Sequence, residues 1–124
     1  MEDYIFQKTK TTPEVLINKK DRTVRISGVC IPENPKAFFD PIIKHVTDLK
    51  QTNSKILFEI YLDYFNSSAS RGLLELFNLA SELELTTNKS KVLWMTDAND
   101  EAKEEGELMA ELSSLEFEYV ILDS

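Results

Sequence analysis

The run KILFEIYLDYF, residues 55–65, constrains this chain more than any other stretch, because at the two-residue period of a strand it is apolar on both faces. Ile56, Phe58, Ile60, Leu62 and Tyr64 fall on one face, while Leu57, Tyr61 and Phe65 share the other with Glu59 and Asp63. Such a strand belongs in the middle of a sheet covered by helices. Around it, EVLINKKDRTVRISG reads as a hairpin. Glu14–Asn18 and Thr23–Ser27 are its arms, and the polar turn lies around Lys20 and Asp21, with no Asn-Gly or Asp-Gly to fix the turn type. Phe39, Ile42, Ile43, Val46 and Leu49 keep helical spacing. Asn34 and Pro35 suit its cap and first position, yet Pro41 lies inside the pattern and has no N–H to donate. Either that helix kinks at Pro41, or it starts late with Asp40 as cap.

A second helix is predicted from Leu73, Leu76, Phe77, Ala80 and Leu83, with Arg71, Glu75, Asn78 and Glu82 on the opposite side. A third, acidic helix is predicted from Asp100 to about Ser113, its apolar positions including Ala102, Met109 and Leu112. KVLWMT and FEYVIL supply two more strands. Strands alternating with helices imply right-handed crossovers. The expected fold is a small α/β domain: a mostly parallel sheet, an N-terminal antiparallel hairpin, and helices packed on the sheet. With 124 residues and neither repeat nor linker, a single domain over 1–124 is expected.

Composition removes several function classes. The net charge of −8 disfavours nucleic acid and anionic membrane, which attract clustered Lys and Arg. Lys8, Lys10, Lys19, Lys20, Arg22 and Arg25 do gather near the start, which reads as a protein-partner surface at most. No apolar run approaches the roughly 20 residues that span a bilayer. The opening MEDYIFQKTK lacks the basic-then-apolar order of a secretory signal. A lone cysteine, Cys30, cannot form an internal disulfide and reads as a small core residue. The expected location is the cytoplasm.

Catalytic and metal motifs fail on inspection. His45, the single histidine, sits on a predicted helix with no nucleophile motif near it and reads as a surface residue. FNSSAS lacks the glycines of a hydrolase elbow. Between Asp97 and Glu111 lie seven carboxylates and one lysine, but an EF-hand loop starting at Asp97 would place Ala102 at its glycine and Leu108 at its glutamate. Acids at a helix start answer its dipole, so this run reads as a solvated face. No glycine-rich phosphate loop exists. No catalytic residue, metal or cofactor is expected.

The hydroxyls of YFNSSASRG, residues 64–72, are the remaining candidates. Asn66, Ser67 and Ser68 follow the C-terminal end of the central strand and lead straight into a helix, where ligands gather in open α/β sheets. Free N–H groups and partial positive charge at a helix start welcome an anion. A phosphate on one of these serines would gain those donors, and Arg71, about one turn in, would add a charge-assisted contact. Ser is also a common helix cap with no further role.

These residues resemble the SiaC family of bacterial regulatory phosphoproteins, relatives of anti-sigma-factor antagonists with the STAS fold. The likeness runs along nearly the whole chain: TPEV at 12–15, SGVCIPENP at 27–35, YFNSSAS at 64–70, KVLWMTDANDE and the EEGE helix. It implies a STAS-like, non-enzymatic switch, modified by a serine kinase and a PP2C-type phosphatase on the hydroxyl after the motif asparagine. That hydroxyl is Ser67 here, with Ser68 as the fallback. The resemblance further implies that the unmodified form binds and activates a diguanylate cyclase, raising cyclic di-GMP. The partner surface would comprise Asn66, Ser67, Ser68, Ser70, Arg71 and Glu75. The alternative within the same fold is an anti-sigma-factor antagonist. The chain departs from the family at Ala69, where a further hydroxyl is common.

Overall fold

The computed structural model describes residues 3–51, 55–82, 90–97, 100–113 and 115–122. In chain order the elements are β1 (Tyr4–Phe6), β2 (Glu14–Asn18), β3 (Thr23–Cys30), α1 (Pro35–Gln51), β4 (Leu57–Phe65), α2 (Ser67–Ser81), β5 (Lys91–Asp97), α3 (Asp100–Ser113) and β6 (Glu116–Leu122). The strands form a six-stranded sheet in sequential order. β1, β2 and β3 pair antiparallel; β3 through β6 run parallel. This is the expected α/β architecture with one strand more, since Ile5 in β1 pairs with Leu16.

Sequential order fixes where the helices lie. The crossovers β3–α1–β4, β4–α2–β5 and β5–α3–β6 all step the same way across the sheet, so right-handed connections place all three helices on one face. On that face Val15, Ile17, Val24, Ile26, Phe58, Ile60, Val92 and Trp94 are buried. Phe58 meets Phe77 of α2 edge-on at 5.1 Å. The opposite face carries Leu16, Arg25, Glu59, Leu93 and Glu118 in one cross-strand row, all half-buried or exposed. The interior placement of β4 is as expected, but its helical cover is one-sided. On the second side Leu57 and Tyr61 are only half-buried. The expected alternation also fails at the end of β4: beyond the register shift at Gly28/Val29, Tyr64 is 60% exposed, while Phe65 turns inward against Trp94.

Local chemistry explains the remaining boundaries. Asn34 caps α1, its Oδ1 accepting from the Ala37 amide at 3.2 Å, and the helix runs from Pro35 to Gln51 with Pro41 inside it. A late start at Asp40 is therefore ruled out. The hairpin turn uses Asn18, whose Oδ1 accepts from the Asp21 amide, and Arg22 at a φ of 57°. Lys19 is no surface cation: its side chain is buried, with Nζ 3.7 Å from Asp48. His45 is likewise not the surface residue its helical setting suggested. It is half-buried, its ring lies 4.7 Å from that of Tyr4, and its Nδ1 is buried without a hydrogen-bond partner among the described residues. Burial, and then the charge of Lys19, lower its pKa. Cys30 is fully buried as expected, and desolvation pushes its thiol up to about 12.

In α3 the stripe turned inward is Ala102, Gly106, Met109 and Ser113, whereas Leu112 is 57% exposed. The apolar position expected at Leu112 is thus incorrect. A bulky indole dictates this choice: a Cβ on Gly106 would lie 2.6 Å from Trp94. Leu83, expected on α2, lies outside the described residues. Among the described residues, no helix is long and apolar enough to cross a membrane.

Candidate functional site: the start of helix α2

β4 ends at Phe65 and α2 begins two residues later, so a single residue, Asn66, must both turn the chain and cap the helix. It does so from an extended conformation, its Oδ1 accepting from the Ala69 amide at 3.0 Å. The Asn66 amide donates to the Cys30 carbonyl at 3.3 Å, tying the cap to the end of β3. Ala69 is fully buried, which fastens the first turn onto the core.

The two candidate hydroxyls are not equivalent. Ser68 is half-buried and donates to Asn66 Oδ1 at 2.9 Å, the oxygen already engaged by Ala69. Ser67 is exposed, and its hydroxyl has no hydrogen-bond partner among the described residues. Ser70 turns back to the cap, its Oγ donating to the Asn66 carbonyl at 3.3 Å. The Ser67 and Ser68 amides have no acceptor among the described residues either, as expected for the first two positions of a helix. α2 carries no acid in its first turn, so nothing on the helix itself answers its positive end.

Arg71 and Glu75 are exposed on α2, as the sequence suggested, and no ion pair engages Arg71 among the described residues. Arg71 stands four positions after Ser67 and three after Ser68, the spacing of neighbours on one helical face. Together with Ser68 the pair borders a groove of about 350 Å3 between α1 and α2. The far wall is Lys36, Phe39 and Asp40 of α1, none of which the sequence reading placed at this site. Lys36 and Asp40 pair at 2.8 Å, and that contact holds Lys36 above its usual range. Their spacing of four on a helix was the available signal. The groove exists because α1 and α2 approach closely: a Cβ on Gly72 would lie 2.4 Å from the Phe39 ring.

An exposed, unpartnered serine on an acid-free helix start is the feature to compare with known proteins. The model of a family described as SiaC family regulatory phosphoprotein matches residues 6–122. The chain belongs to the SiaC family. Among solved structures it is similar to apo-SiaC from Pseudomonas aeruginosa, at 21% identity and a TM-score of 0.88 over 97% of this chain and 99% of that one. It is also similar to the structure of the diguanylate cyclase SiaD in complex with its activator SiaC from the same organism. That match has 20% identity and a TM-score of 0.90, covering 97% of this chain and 100% of that one. At such identity the structural likeness establishes the SiaC fold. A search of curated proteins finds no match.

Proposed function

We propose that this SiaC-family chain is a non-enzymatic cytoplasmic switch whose unmodified form docks on a diguanylate cyclase and whose phosphorylation on Ser67 ends that docking. A serine kinase and a PP2C-type phosphatase set the phosphorylation state. The observation that carries the reading is the contrast between Ser67, exposed with a free hydroxyl, and Ser68, half-buried and committed to the cap. A kinase must reach its hydroxyl, and only Ser67 offers one without first breaking a cap bond. The Pseudomonas aeruginosa SiaC described as the activator of SiaD supports the choice of partner class.

The physical step is local. A phosphate on Ser67 adds about −1.5 to −2 charges beside unpaired amides and within a turn of Arg71. Those donors hold the phosphate, and Arg71 is drawn away from a partner. A surface built for a neutral hydroxyl must then desolvate a dianion, which costs several kcal/mol unless a cation meets it. Because every ~1.4 kcal/mol is tenfold, micromolar binding is lost without refolding. Intact-mass measurement of the protein from its native host, with and without phosphatase, followed by peptide mapping, tests the modification. One phosphate on Ser67 is expected; none, or one confined to Ser68, contradicts it.

A further inference from the structure

At the same edge of the sheet, a cavity of about 300 Å3 opens between the C-terminal ends of β4 and β5 and the first turns of α3. Phe65 and Trp94 form its apolar wall, their rings edge-on at 5.9 Å, and the indole N–H is fixed by the Ala102 carbonyl at 2.9 Å. Asp63, Glu101 and Glu105 also line it, and no cationic residue does among the described residues. Burial, and next the charge of Glu101, raise the Glu105 carboxyl above its ordinary range. Thr96 adds a polar group with spare hydrogen-bonding capacity. It is only 6% exposed, it lines the cavity, and its hydroxyl has no hydrogen-bond partner among the described residues. That hydroxyl is not sealed off, since among the described residues His45 Nδ1 is the one fully buried polar side-chain atom without a hydrogen-bond partner, so a ligand in the cavity can reach it.

We propose that this cavity receives a basic side chain, an arginine, from a partner protein. A guanidinium presents five donors in one plane, enough for the carboxylates and for Thr96 Oγ1 together, and its flat face stacks on aromatic rings. A divalent ion suits the cavity less, because no three acidic or other ligating groups among the described residues stand close enough to hold one. The volume lies at the small end for ligand pockets and matches one long side chain rather than a cofactor. That the side chain comes from a protein rests on the docking reading above, since the cavity shares its edge of the sheet with the start of α2. The cation chemistry of the cavity does not.

Trp94 is the sole tryptophan, so its fluorescence reports the cavity directly. N-acetyl-arginine amide added to the full chain at millimolar concentrations is expected to shift that emission saturably, while the neutral citrulline analogue leaves it unchanged. Glu105→Gln and Thr96→Val should each weaken the response about tenfold, the loss of one charge-assisted hydrogen bond. Equal responses to the two analogues, or none to either, would overturn the assignment. Ser67→Asp should keep the arginine response, so failure of the phosphorylation reading stays separate. In a second arm, Glu101→Gln with Glu105→Gln should weaken the complex with the diguanylate cyclase at least about tenfold. Unchanged affinity there, with the analogue still bound by the native chain, would overturn the protein source in favour of a free guanidinium compound.

Discussion

Helices α2 and α3 begin at the same edge of the sheet, each after a parallel strand, and their first turns are built in opposite ways. α2 opens with Asn66, Ser67 and Ser68 and has no acid in its first turn. α3 opens with Asp100 and Glu101 and adds Glu104 and Glu105 within the next turn. A helix start carries roughly half a positive charge, which nearby acids answer. α3 therefore already carries acids that answer its dipole. α2 does not, and on the proposed reading a phosphate on its exposed Ser67 hydroxyl would supply the missing charge. The difference separates a start that carries its own acids from one that would gain negative charge only through the proposed modification.

The largest expected effect comes from making α2 resemble α3. Ser67→Asp should lower affinity for the diguanylate cyclase by about 100-fold, as a partly hydrated carboxylate enters the interface at a cost near 3 kcal/mol. Ser67→Ala and, on α3, Glu104→Gln should leave that affinity unchanged in the same titration. Next in size are the two glycines by which the helices reach their neighbours. Gly72→Ala drives a methyl into the Phe39 ring and Gly106→Ala drives one into Trp94. Each should cost about 1–3 kcal/mol in urea unfolding, and only the second should move the tryptophan emission of the native state.

Asn66→Ala removes the side chain that caps α2 and holds Ser68. A loss of about 1 kcal/mol is expected. The smallest effect is a pH dependence on α3. Glu105 is raised by burial and then by Glu101, so its neutral form favours the fold below the unfolded value of 4.5. That contribution fades as pH climbs through the raised folded value. Glu105→Gln should remove the fading, so thermal unfolding curves of variant and native chain should diverge in the variant's favour as pH rises from about 4.5 towards neutrality.

Much of this architecture is legible in the residues because burial leaves a period. The apolar alternation of Ile56, Phe58 and Ile60 and the helical spacing of Leu73, Leu76 and Phe77 each point to one element, whereas Tyr64 and Phe65 trade faces across a register shift that the alternation does not reveal. The one-sided cover of β4 was not legible, because Leu57 and Tyr61 look the same in sequence whether a helix or only neighbouring strands shield them. Leu112 misled because the space beside Trp94 admits Gly106, so the inward stripe of α3 runs through small residues. β1 was short enough to pass as a tail, although Tyr4, Ile5 and Phe6 are strand-prone and bounded by charge. At the site, the start of α2 could be read from Asn66 and its serines. The ranking of Ser67 over Ser68 came from the family resemblance and gained support from hydrogen bonding that no spacing reveals. The α1 wall of the groove depends on tertiary contact and left only the spacing of Lys36 and Asp40 as a trace.

The most direct measurement is calorimetric titration of the diguanylate cyclase with the chain, once unmodified and once carrying phosphate on Ser67 alone. Micromolar or tighter binding by the first and a loss of about 100-fold or more by the second is the expected result. Equal affinity in the two titrations would contradict the claim that modifying this hydroxyl decides which partner the chain can hold.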